Sequence, residues 1–164
     1  MLSSNVRYLV KAKLKPGKSP ELLKSINHGT LGEGSIAGDE YIYNMSEARL
    51  DSGGVTTWVE TCFCDPPLAE ERPFWEEYFN LLSVKDAHSR RNCRHENGSE
   101  PWACCDCDCT EKLERRTASQ GELFLDALRD YRTACDPGTK AQSSNPRRVS
   151  IAKDQNTPGQ RAAL

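Results

Sequence analysis

The sequence predicts an α+β protein built on a ferredoxin-like βαββαβ antiparallel sheet with C-terminal helices. Three observations lead to this prediction: an alternating strand pattern opens the chain, a glycine turn precedes its most β-rich segment, and helical apolar spacing follows that segment. A length of 164 residues suffices for one domain and an additional segment. We therefore assign residues 1–135 to one domain and residues 136–164 to a tail.

The first strand and the first helix are predicted between residues 6 and 29. Residues 6–14 alternate between apolar side chains on one face and mostly basic ones on the other, as in a half-buried strand. Ser19 is a candidate helix N-cap, Pro20 suits the first helical turn, and Gly29 is placed to end the helix. A strand followed by a short helix is the expected start of the fold.

A hairpin is predicted next. In residues 40–45, Tyr41 and Tyr43 alternate with other side chains, which predicts a second strand. Residues 55–64 are rich in β-branched and aromatic side chains and form the third predicted strand. The turn sequence Asp-Ser-Gly-Gly at residues 51–54 is expected to join the two strands.

Three helices and one more strand complete the prediction. Aromatic and leucine side chains at helical spacing predict a helix over residues 68–82, and residues 84–88 are a candidate fourth strand. A further helix is expected to begin near Thr110, and residues 122–131 form an amphipathic segment that suits packing on the domain.

The charge distribution separates the predicted domain from its tail. Residues 136–164 contain five basic and two acidic residues, no aromatic residue and no apolar periodicity, so a disordered basic tail is predicted. Since the whole chain has a net charge of -2, the remainder carries -5. An acidic domain argues against a nucleic-acid partner, because phosphate neutralisation needs a concentrated basic surface. The tail is expected to reach an acidic protein partner.

The distribution of apolar residues predicts a cytoplasmic protein. Residues 1–15 lack an apolar run of signal-peptide length, and no stretch of about 18 apolar residues suggests a membrane helix. In a reducing compartment the eight cysteines are expected to be metal ligands or redox thiols instead of disulfides.

Six of the cysteines form the strongest functional signal. A cysteine-rich loop over residues 93–109 places four thiols within six residues, and a C-x-C pair ends the third predicted strand. Side chains at i and i+2 of an extended segment point the same way, so each such pair can present two sulfurs to one ion. The candidate metal ligands are Cys62, Cys64, Cys104, Cys105, Cys107 and Cys109.

The spacing of these cysteines leaves the cofactor open between zinc and an iron–sulfur cluster. Thiolates bind both, and C-x-C spacing does not choose between them. Zinc would indicate a structural site in an interaction or assembly module, and a cluster would indicate electron transfer or redox sensing. Two alternatives without metal remain: a dithiol with a redox role and cysteines that only pack in the core.

The third predicted strand also suggests an interface. Trp58, Glu60, Cys62 and Cys64 share one face, which we expect to be the open face of the sheet and the interface of a homodimer. The competing hypothesis is a small enzyme of the dimeric α–β barrel type in which the cysteines are not metal ligands. The cavity of that enzyme would be lined by Tyr41, Tyr43, Trp58, Glu60 and His88.

Three segments carry a family resemblance. The sequences YLVKA at residues 8–12, LAEERP at residues 68–73 and EPWACCDCDC at residues 100–109 resemble a family of uncharacterised, cysteine-rich cyanobacterial proteins. The resemblance covers residues 6–130 and implies a soluble location without implying a mechanism. The start of the chain also resembles dimeric α–β barrel domains, whose two sheets pack face to face, which is a similarity of fold alone.

Overall fold

A computed structural model describes residues 5–89 and 108–135 of the chain. The predicted tail over residues 136–164 lies outside these residues, as does most of the predicted cysteine-rich loop. No helix within the described ranges is both long and apolar enough to cross a membrane. In chain order the elements are β1 (Asn5–Leu14), α1 (Ser19–Asn27), α2 (Gly38–Glu47), β2 (Arg49–Leu50), β3 (Thr56–Thr61), α3 (Arg72–Tyr78), β4 (Phe79–Ser89), α4 (Cys109–Thr117), β5 (Glu122–Leu123) and α5 (Phe124–Cys135).

The strands form one antiparallel sheet in the order β4-β1-β3-β2-β5. Tyr8 at the middle of β1 lies opposite Glu60 of β3 on one side and Asp86 of β4 on the other. The first four strands have the order of a ferredoxin-like sheet, with each helix crossover joining strands that are not neighbours. The predicted α+β fold class is therefore confirmed, and β5 is an additional strand at the edge.

The hydrophobic core lies between one face of the sheet and four helices. Alternate residues of β1 face this core, because successive side chains of a strand point to opposite sides of the sheet. The helices α1, α2, α3 and α5 each bury an apolar stripe against it. Five of its aromatic side chains are linked by ring contacts: Tyr41, Trp58, Trp75, Phe79 and Phe124.

Five of the predicted elements are confirmed. The predicted first strand corresponds to β1, the following helix to α1 and the third strand to β3. The helix expected near Thr110 is α4, and the amphipathic segment over residues 122–131 is largely α5, which buries Leu128. Gly29 follows α1 with a φ of 69°, which fits its predicted role at the end of the helix.

The predicted second strand over residues 40–45 is wrong, because this segment belongs to helix α2. Tyr41, Asn44 and Met45 are buried, which is the i, i+3, i+4 spacing of one helix face, while Tyr43 is exposed. Two of the three residues whose alternation predicted a strand, Tyr41 and Met45, belong to this buried helix face, and Tyr43 does not. The hairpin turn at residues 51–54 does form, but it joins β3 to the two-residue strand β2.

The helix predicted over residues 68–82 is shorter than expected. Helix α3 ends at Tyr78, and Phe79 already pairs with Leu14 as the first residue of β4. Strand β4 therefore includes both the end of the predicted helix and the predicted strand over residues 84–88. Pairing along the full length of β1 stabilises the extended conformation, and tertiary pairing overrides the helical apolar spacing in this segment.

The face of β3 that carries Trp58, Glu60 and Cys62 is not open, contrary to the prediction. These side chains are almost fully buried under the helices. Trp58 contacts Trp75 of α3, with ring centroids 4.9 Å apart. An interface between two copies cannot use this face without displacing the helices, so the predicted homodimer would need another surface.

Gly121, just before β5, allows a close approach of two backbone segments. An added Cβ would overlap the carbonyl oxygen of Leu50 and lie 3.0 Å from the amide nitrogen of Asp51. Because both neighbours are backbone atoms of the β2 turn, they cannot rotate away as a side chain does. We expect Gly121→Ala to lower the free energy of unfolding by about 2 kcal/mol, measured by urea denaturation.

Gly34→Ala is the control for this prediction. Gly34 has a φ of 90° and open space around its added Cβ, so alanine there introduces backbone strain without overlap. We expect it to cost about 1 kcal/mol. Equal losses in the two variants would show that the contact at Leu50 is relieved by a small shift of the chain.

Candidate metal centre

Cys62, Cys64 and Glu71 form a cluster of metal-ligand side chains. One ligand atom from each residue lies within 4.8 Å of the other two. The thiol of Cys62 donates a hydrogen bond of 3.2 Å to Oε2 of Glu71, and Sγ of Cys64 lies 3.9 Å from the same oxygen. Two sulfurs and one carboxylate oxygen therefore converge on one point.

The end of β3 and the turn that follows it create this convergence. The amide of Cys62 donates to the carbonyl of Val6 at 3.0 Å, so the first cysteine is still held against β1. The chain then turns at Leu68, whose φ is 61° and whose carbonyl accepts a bond from the amide of Arg72. This turn returns the chain to the cysteines and places Glu71 at the start of α3.

The cluster is shielded from solvent. Cys62 and Glu71 are 1% and 4% exposed, and Cys64 is half-buried. Burial raises the pKa of the Cys62 thiol, and this effect is opposed by the backbone amide of Cys64, which donates to Sγ of Cys62 at 3.2 Å. The sulfur is therefore oriented by a backbone donor, as a metal-bound thiolate needs.

The separations suit a tetrahedral ion. A zinc ion with sulfur at about 2.3 Å and a carboxylate oxygen at about 2.1 Å holds each sulfur about 3.6 Å from that oxygen. The two sulfur–oxygen distances, 3.2 Å for Cys62 and 3.9 Å for Cys64, lie on either side of this value. The two sulfur–oxygen distances are therefore compatible with a shared ion.

A second buried carboxylate lies next to the cluster. Oε2 of Glu60 accepts bonds from the indole nitrogens of Trp58 at 2.7 Å and Trp75 at 2.9 Å, and Oε1 accepts one from Asn44 at 3.1 Å. Burial, reinforced by the charge of Glu71, raises the pKa of Glu60 to about 8, although the indole bonds oppose the shift. Glu60 therefore links β3, α2 and α3 immediately behind the cysteines.

The structure brings two of the six predicted ligands together. Cys62 and Cys64 are in the cluster, whereas Cys104, Cys105 and Cys107 lie outside the described residues. Cys109 is buried at the start of α4 and is not one of the three clustered ligands. Their part in a metal site stays a prediction.

Glu71 is a cluster residue that the sequence pattern did not predict. It belongs to a run of charged residues before Pro73, and such a run predicts a solvated helix start. The sequence does contain one relevant signal: Glu71 follows the C-x-C pair closely, and a turn between them can bring its carboxylate to the two thiols. Its burial follows from the packing of α3 on β3, which local sequence does not reveal.

The five residues proposed for an enzyme cavity do not share one environment. Tyr41, Trp58 and Glu60 are packed in the core. Tyr43 is 45% exposed, and its hydroxyl donates to Glu114 of α4. His88 lies on β4, where burial and the positive charges of neighbouring side chains lower its pKa. This distribution gives no support to the barrel-type active site.

Comparisons with family models, curated proteins and solved structures found no match to this chain. The resemblances to a cyanobacterial family and to dimeric barrels therefore stay predictions. The cluster of Cys62, Cys64 and Glu71 is the structural feature that bears on function.

Proposed function

We propose that this chain is a zinc-binding protein whose centre is formed by Cys62, Cys64 and Glu71. The observation that supports the proposal is the convergence of two sulfurs and one carboxylate oxygen within 4.8 Å of one another in a shielded position. A metal ion would replace the thiol proton that Cys62 shares with Glu71 and would neutralise the acidic charge gathered there.

The mixed ligand set favours zinc over an iron–sulfur cluster. Zinc accepts cysteine sulfur and glutamate oxygen together, whereas iron–sulfur clusters are bound chiefly by thiolates. A dithiol redox role is less consistent with the site, because burial raises the pKa of Cys62 and reactive cysteines need a lowered one.

The ion would act as a structural clamp. Cys62 and Cys64 follow the last residue of β3, and Glu71 immediately precedes α3, so one ion would tie the strand to the helix across the turn. The cysteine-rich segment is the proposed source of the remaining ligand, which would attach that segment to the domain. A centre of this kind suits an interaction or assembly module better than a catalyst.

The test is metal analysis of the anaerobically purified, untagged chain. We expect inductively coupled plasma mass spectrometry to find about one zinc ion per chain. Cys62→Ser and Glu71→Gln should both lose most of the zinc. Glu70→Gln is the matched control, because Glu70 directly precedes Glu71 but accepts its bonds from Ser35 and Ile36. That variant should retain the metal.

X-ray absorption spectroscopy then counts the sulfur ligands. Two or three sulfurs with at least one oxygen neighbour would support the centre proposed for Cys62, Cys64 and Glu71. Four sulfurs, or iron with inorganic sulfide, would replace it with the all-thiolate site that the sequence suggested. A chain without stoichiometric metal and with eight titratable thiols would overturn metal binding altogether.

A further inference from the structure

A cavity lies at the opposite end of the sheet from the cysteines. It has a volume of 320 Å³ and is formed where the end of β1, the turn after β2 and helix α5 meet. Its floor is apolar and includes Leu14, Leu50, Phe124 and Leu128. A cavity of this size and composition is in the range that binds small molecules.

Among the described residues, the charged ones that line this cavity are both lysines. Lys13 and Lys15 line it, and no aspartate or glutamate does. Lys15 donates to the backbone carbonyl of Glu76 and is thereby held in place. Lys13 is exposed and makes no ion pair within the described part of the chain. Two lysines among the lining residues of a largely apolar cavity contrast with the net negative charge of the domain.

The entrance of the cavity is open. Gly17 and Gly54 are at its edge, and a Cβ added to either glycine would contact nothing within 4 Å. Tyr131 of α5 stands beside the cavity with 60% of its surface exposed. A ligand could therefore enter without displacing the backbone and could cover exposed aromatic surface as it binds.

We propose that this cavity binds a small carboxylic acid with an apolar body, such as a medium-chain fatty acid. The apolar part would lie on Phe124, Leu128 and their neighbours, and the carboxylate would be bound by Lys13 and Lys15. Charge complementarity selects this class over apolar amines, which the two lysines would repel. The site shares no residue with the cluster of Cys62, Cys64 and Glu71, so it is independent of the proposed zinc centre.

The test measures binding of decanoate to the full chain by calorimetry below the micelle concentration. We expect a dissociation constant of about 100 µM, with decanol bound at least about tenfold more weakly and decyltrimethylammonium not bound. Lys13→Gln should weaken decanoate binding about fivefold. Lys11→Gln is the matched control, because Lys11 is exposed on the same face of β1 and does not line the cavity.

Ala127→Trp provides a second variant, since residue 127 lines the cavity and a tryptophan there would fill it. We expect this variant to lose decanoate binding while it keeps its zinc content and its circular dichroism spectrum. Equal affinity for decanoate and decyltrimethylammonium, or unchanged binding in both Lys13→Gln and Ala127→Trp, would overturn the proposal. A failure of this kind leaves the zinc measurements unaffected, so the two proposals are tested separately.

Discussion

Glu60→Ala is expected to lower the free energy of unfolding by at least about 4 kcal/mol. The carboxylate of Glu60 accepts bonds from Trp58, Trp75 and Asn44, all inside the core. Alanine would leave two indole N–H groups and an amide without an acceptor, and each unsatisfied buried donor costs about 1 to 3 kcal/mol. The lost side-chain volume adds the cost of a cavity.

Glu60→Gln should behave differently, because glutamine keeps the shape of the side chain. Its Oε1 can accept both indole bonds, and a rotated amide of Asn44 can accept a bond from its nitrogen. We therefore expect this variant to fold at pH 5 with stability close to that of the original chain.

The stabilities of the original chain and of Glu60→Gln should also depend differently on pH. The pKa of Glu60 is raised to about 8 in the folded chain, above the ordinary value of 4.5 that applies after unfolding. The unfolded chain therefore releases this proton first, and stability present below pH 4.5 is lost as the pH rises towards 8. Glutamine does not ionise, so Glu60→Gln should become the more stable protein at pH 8, by a margin on the order of 3 kcal/mol.

Urea denaturation of both proteins, freed of metal by a chelator, at several values between pH 5 and pH 8 measures this difference. Glu122→Gln controls for the loss of one negative charge, because Glu122 is exposed. A constant difference between the original chain and Glu60→Gln across this range would mean that Glu60 ionises at its ordinary pKa despite its burial.

The fold class was predictable because β1 and β3 carry their own signals. The alternation of residues 6–14 and the β-rich composition of residues 55–64 define the two central strands, and these pair directly. The ends of the sheet were not predictable in the same way. Strand β2 has only two residues, and β4 includes residues whose apolar spacing is helical. Both strands form because they pair with segments that are distant in the sequence.

Helix α2 shows why the interior polar residues were missed. Asn44 is buried because its amide reaches Glu60, which lies 16 residues later in the chain. A buried asparagine breaks the apolar stripe that would have marked the helix, and its partner is recognisable only once β3 and α2 are packed together. The same limit applies to Glu71, whose charge predicts exposure although it is buried beside Cys62.

Removing the metal is expected to lower the melting temperature by about 10 °C. In the proposed centre one ion joins the end of β3 to the start of α3, and its binding free energy adds to the stability of the folded chain, which alone holds the ligands together. Without the ion, the carboxylate of Glu71 stays buried beside Cys62 and close to the carboxyl group of Glu60, and no cation offsets its charge. Calorimetry with and without a strong chelator measures the shift.

The variants show whether this loss comes from the proposed centre. Cys62→Ser should melt near the temperature of the chelated original chain, and chelator should change it little because its site is already broken. Glu70→Gln should respond to chelator as the original chain does, since its side chain is bound to Ser35 and Ile36 instead. If Cys62→Ser still loses about 10 °C on chelation, the stabilising ion is bound elsewhere, and the cluster at the end of β3 is a packed group of thiols and one carboxylate.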